Sequence, residues 1–119
     1  MCSYNRINGT LASENKYLLT DILRDEWGYE GTVVSDWGAV SNRVLGVKNG
    51  LNLEMPTSFG ENDKRIVEAV KNGELDEAIL DKNVANILKL VYEGDSNREG
   101  SKDYTFDRAA HHQLSREIA

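Results

Sequence analysis

At 119 residues the chain is one small domain's worth, and its formal charge of −6, from 20 acids against 14 bases with no basic cluster, sets nucleic acid aside as a partner. Hydrophobic residues at 39% and charged residues at 29% are those of an ordinary soluble protein, with no apolar run near the roughly 18 residues of a membrane span. The single cysteine, Cys2, cannot close an internal disulfide and has no histidine near it in sequence, so it reads as a small buried hydrophobe rather than a nucleophile.

The chain opens on a strand over Met1 to Tyr4, followed by a turn at Asn8-Gly9. Ser13 is the expected N-cap of a helix on which Leu18, Leu19, Ile22, Leu23 and Trp27 form one apolar stripe, stopped by Gly28. A β-branched strand follows at Thr32 to Ser35, then a short helix over Ser41 to Lys48 with Val44 and Val47 inward, then a third strand at Leu51 to Glu54. Strands alternating with helices predict parallel pairing through right-handed crossovers. Beyond the break at Pro56 and Gly60, a helix beginning at Asn62 or Asp63 carries Ile66, Val67 and Val70. After Gly73 a further helical pattern sets Ile79, Leu80, Val84, Ile87, Leu88 and Val91 at core spacing. From Gly94 to Thr105 the pattern gives way to Gly, Ser, Asp, Asn and Lys, the composition of a surface connection, and Asp107 is placed to cap a last helix.

The most informative run is Thr32-Val33-Val34-Ser35-Asp36-Trp37-Gly38-Ala39. It reads as a buried strand that ends in an acid, an indole and a glycine. Strand ends are rigid and the loops after them leave room for a ligand, so Asp36 is placed either for chemistry or to cap the helix that follows. Trp37 offers a flat face of the kind that stacks on a pyranose, or else fills a core. Tyr4 is either a partner of Asp36 or a half-buried strand aromatic. Glu54 is the other acid at a strand end, and Met55 beside it could line the same mouth.

The Ser-Asp-Trp run resembles the nucleophile motif of family 3 glycoside hydrolases, the β-glucosidase family. The likeness extends along the chain in order: Met1 to Gly9, Ser13 to Leu19, Leu23 to Gly31, Gly50 to Pro56, and His111 to Ala119, which is similar to the opening helix of that family's second domain. One departure is Asn52, where the family commonly has Asp. The resemblance implies an α/β fold that is the C-terminal part of a (β/α)8 TIM-type barrel over residues 1–93, an interdomain linker over 94–106, and the start of a second domain over 107–119. Such a barrel takes roughly 250 residues, so missing parts of the same polypeptide are expected partners, covering an open face that carries Val33 and Leu53.

By the same resemblance the activity is that of a retaining glycosidase acting on a β-glucoside or oligosaccharide. Asp36 is the nucleophile, Tyr4 orients it, and Trp37 and Met55 contact the sugar. Glu54 is a structural or secondary sugar contact, because the family's acid/base is a glutamate of the second domain or its loops. The fragment alone is then expected to be inactive, and the alternative is a catalytically inactive carbohydrate-binding or structural remnant. His111 and His112 point about 100° apart on a helix and do not pair on one metal. No phosphate loop, dinucleotide fingerprint, zinc spacing or serine-triad signature occurs, so no cofactor or metal is implied. Any targeting segment would lie outside these residues; compartment is left open, with the cytoplasm favoured.

Overall fold

The computed structural model describes residues 1–100 and 105–119. Its central feature is three extended segments lying side by side. Cys2 N–H donates to Val34 O at 2.8 Å and Asp36 N–H donates to Cys2 O at 3.2 Å, while Val34 and Leu53 form a parallel bridge through Ser35 N to Leu53 O and Leu53 N to Val33 O. The three expected strands therefore exist as parallel neighbours, but their ladders are only two or three bonds long. The regular strands are instead the hairpin β1 (Arg6–Ile7) and β2 (Thr10–Leu11), antiparallel across the Asn8-Gly9 turn. Asn8 and Gly9 both have positive φ, and that turn folds the chain back on itself before the helical region starts.

After a 3-10 turn, Ala12–Glu14, the expected helix runs from Tyr17 to Glu26, wound as a π-helix whose Trp27 N–H bonds Ile22 O five residues back at 3.0 Å. The wide winding carries Trp27 out of the expected stripe. Its indole is 70% exposed, and Leu19 alone of the stripe is fully buried. Helix α1 (Arg43–Asn49) is N-capped by Asn42, whose side chain accepts from Leu45 N, and stopped by Gly50 at φ 108°, a left-handed conformation that suits glycine. Helix α2 spans Glu61–Lys71 and α3 spans Glu77–Gly100.

The apolar side chains close into two clusters on either side of this framework. Cys2, Leu19, Val33 and Leu51 form one, with Leu23 and Val40 against it; Val44, Val47, Ala69 and Leu75 form the other, with Ile66, Val70, Ile79 and Leu80. Val33 is thus buried between neighbouring segments rather than lying on an open face, because the π-helix covers it. Val84, Leu88 and Val91, read as core positions, are exposed.

Helix α3 also continues through Gly94 to Gly100, where a connection was expected to begin. A single glycine costs a helix about 1 kcal/mol, too little to stop one already propagating from Glu77. Residues 101–104 of that expected connection lie outside the described residues. Helix α4 (Arg108–Ile118) starts as expected at Asp107, whose carboxylate accepts from Ala109 N at 2.9 Å and Ala110 N at 3.1 Å. Among the described residues, no helix is long and apolar enough to cross a membrane.

Candidate active site

Because the three segments run parallel, Tyr4, Asp36 and Met55 leave them at one rim. The carboxylate of Asp36, half-buried, is fixed there through a single oxygen. The hydroxyl of Tyr4 lies 3.0 Å from Oδ1, and the Trp37 N–H donates to the same Oδ1 at 2.7 Å. The Tyr4 hydroxyl also lies 2.9 Å from Trp37 O, so its one proton is shared between that carbonyl and the carboxylate. Among the described residues no donor reaches Oδ2. The hydrogen bond to Asp36 raises the Tyr4 pKa above its ordinary value, with slight desolvation and the carboxylate charge adding and the Trp37 carbonyl opposing.

Trp37 is 67% exposed, so its indole is a surface aromatic beside the carboxylate and the core alternative does not hold. Met55 is exposed at the same rim, and its backbone ties the second and third segments together. Its N–H donates to Ser35 Oγ at 2.8 Å, and its carbonyl accepts from Gly38 N at 2.8 Å and Ser35 Oγ at 3.3 Å. Glu54 is turned to other partners. Both its oxygens accept from Asn62 Nδ2, at 2.8 and 2.9 Å, and Arg43 Nε approaches at 3.8 Å; no hydrogen bond joins it to Tyr4, Asp36 or Trp37.

Several residues hold this arrangement in roles that the sequence did not assign to them. Arg43 is buried in α1 and donates to Leu51 O at 3.1 Å and Asn52 O at 2.7 Å, and burial lowers its pKa against the opposing pull of Glu54 and Asp63. Ser35 is 1% exposed and staples two segments. Asn52 Oδ1 accepts both Val33 N–H at 2.8 Å and Arg24 Nη2 at 2.9 Å, which puts a neutral acceptor at the position where the resemblance expects an acid. Ser35 and Asn52 were marked in the sequence by their places in the motifs, though not for these bonds, while Arg43 shows there only as a charged residue beside the inward Val44 and Val47.

The model of the glycosyl hydrolase family 3 N-terminal domain matches residues 1–90. The chain belongs to glycosyl hydrolase family 3. It is 53% identical over 119 residues to the thermostable β-glucosidase B of Acetivibrio thermocellus, covering all of this chain and 16% of that protein. It is 46% identical over 121 residues to an exo-α-(1→6)-L-arabinopyranosidase of Bifidobacterium breve, again over the whole chain and 15% of the relative. Among solved structures, a family 3 β-glucosidase of Bifidobacterium adolescentis superposes with TM-score 0.85 at 46% identity, over 98% of this chain and 17% of that one. β-Glucosidase 3B of Thermotoga neapolitana in complex with glucose superposes with TM-score 0.68 at 44% identity, over 72% of this chain and 13% of that one. The chain thus spans about a sixth of the length of the curated family 3 relatives it matches.

Proposed function

We propose that this chain supplies the nucleophile-bearing part of a retaining, β-glucosidase-like glycosidase of family 3. The observation that carries the reading is the asymmetry of the Asp36 carboxylate: Tyr4 and the Trp37 amide both engage Oδ1, which leaves Oδ2 as the attacking oxygen. In the first step Oδ2 forms an ester to the anomeric carbon while the bond to the leaving oxygen breaks and that oxygen takes a proton from a general acid. In the second, water activated by the same acid, now a base, attacks the anomeric carbon and releases Asp36. Tyr4 orients the carboxylate and stabilises its charge as the ester forms and breaks.

The general acid must lie about 5 to 5.5 Å from Asp36, and Glu54, engaged by Asn62 and Arg43, is not available for it. By the family resemblance the acid is a glutamate of the second domain or its loops in a longer polypeptide, in which residues 1–93 form the C-terminal part of a (β/α)8 barrel, 94–106 the interdomain connection and 107–119 the start of the second domain. Trp37 and Met55 face the sugar at the mouth of that barrel, and the substrate is a terminal β-glucosyl or related residue.

The test is Asp36→Asn in the complete polypeptide, assayed with an aryl β-glucoside. Turnover should fall below detection while glucose binding persists, because an amide cannot form the ester. Residual turnover at the wild-type rate would remove Asp36 from the mechanism, and a wild type that binds glucose without turnover would favour the non-catalytic reading.

A further inference from the structure

The indole of Trp37 sits on a loop, residues 37–42, whose far end is fastened by the 3-10 turn Ala12–Glu14. Ser13 Oγ donates to Ala39 O at 2.6 Å, and Glu14 Oε1 accepts from the amides of Ser41 and Asn42 at 2.7 and 2.6 Å. The turn is fastened in its own right. Asn49 Nδ2 donates to Glu14 O at 2.7 Å, Ala12 N–H donates to Asn5 O at 3.1 Å, and Asn15 Nδ2 donates to Ile7 O at 3.2 Å. It therefore bridges the segment that leaves Tyr4 and the loop that leaves Trp37.

Ser13 is 0% and Glu14 7% exposed, and among the described residues Glu14 has no ion-pair partner. A carboxylate buried against backbone amides costs desolvation that an apolar side chain would not. What it contributes in return is geometry: one oxygen fixes two consecutive amides at the entry to α1.

We propose that Ser13 and Glu14 are positioning residues of the glycosidase site, fixing the loop that carries the sugar-facing Trp37 relative to the segment that carries Tyr4; this rests on the Asp36 reading above. The Asp36 backbone is anchored to Cys2 O and its carboxylate to Tyr4 as well as to the Trp37 amide, so losing the clamp at Ala39, Ser41 and Asn42 should displace the indole more than the nucleophile. The loss should therefore fall on sugar binding.

The measurement is steady-state hydrolysis of an aryl β-glucoside by the complete polypeptide, with active sites counted by labelling with a 2-deoxy-2-fluoro-glucoside. Glu14→Ala should raise KM about tenfold with kcat per labelled site within about twofold, and Ser13→Ala should raise KM by a smaller factor. Glu14→Gln, whose amide oxygen still accepts both N–H groups, should recover most of the KM. A merely structural role would reduce the number of labelled sites and leave KM unchanged in the survivors. That result in Glu14→Ala, or in Ser13→Ala if the first variant does not fold, overturns the proposal, as does an equal KM rise in Glu14→Ala and Glu14→Gln. If wild-type Asp36 takes no label, the nucleophile assignment itself has failed and the clamp falls with it; normal labelling with an unchanged KM sinks the clamp alone.

Discussion

The phenol of Tyr4 and the amide of Trp37 converge on one oxygen of Asp36, and this gives the site a pH signature. Because the carboxylate holds the Tyr4 proton and raises its pKa, the interaction is complete below the ordinary tyrosine value of about 10 and is lost as pH climbs through the higher native value. Phenolate absorbance should accordingly show a tyrosine among the five that ionises above the ordinary range, and Tyr4→Phe should remove it. A titration identical in the two proteins would mean that the bond does not form. On the proposed function, Tyr4→Phe in the complete polypeptide should also lower kcat about ten- to a hundredfold, because a mis-set Asp36 loses its alignment with the anomeric carbon. The juxtaposition of Tyr4 and Asp36, 32 positions apart, was legible because consecutive parallel strands bring equivalent ends together. Ser13 and Glu14 were not legible in that role, since Ser13 reads locally as a helix cap and its true partner is a carbonyl 26 residues away.

Among the elements, the segment bearing Asp36 is set by a polar relay rather than by a long ladder. Arg24 of the π-helix donates to Gly50 O at 3.0 Å and to Asn52 Oδ1, and that same oxygen receives Val33 N–H, three residues before Asp36. Asn52→Ala leaves a buried Val33 amide unpaired and should cost about 1 to 3 kcal/mol. Asn52→Asp keeps the acceptor and adds a charge beside Arg24, so it should lose less. Urea unfolding of the two variants checks this, and equal midpoints would contradict it. The helices themselves were readable from apolar spacing, α1 and α2 to within about two residues. The π-winding was not, because an i, i+3, i+4 stripe looks the same whichever carbonyl each amide later chooses. Nor was the run of α3 past Gly94, where continuation of an established helix outweighs weak local composition.

At the scale of the whole molecule, the radius of gyration of 18.1 Å exceeds the roughly 13.5 Å of a compact chain of this length. Three short parallel segments leave open edges, Val84, Leu88 and Val91 of α3 are exposed, and α4 buries no residue. Covering such side chains is worth roughly 1.5 to 3 kcal/mol each, against a net stability of about 5 to 15 for a small domain. The purified 119-residue chain should therefore self-associate in light scattering and release no aryl alcohol from an aryl β-glucoside; a monodisperse, active monomer would refute both expectations. The central claim is that Asp36 becomes covalently glycosylated, and trapping tests it most directly. The complete polypeptide is treated with a 2-deoxy-2-fluoro-glucoside, digested and sequenced by mass spectrometry. The label should sit on Asp36, and a label on Glu54 or on any other acid would contradict the account.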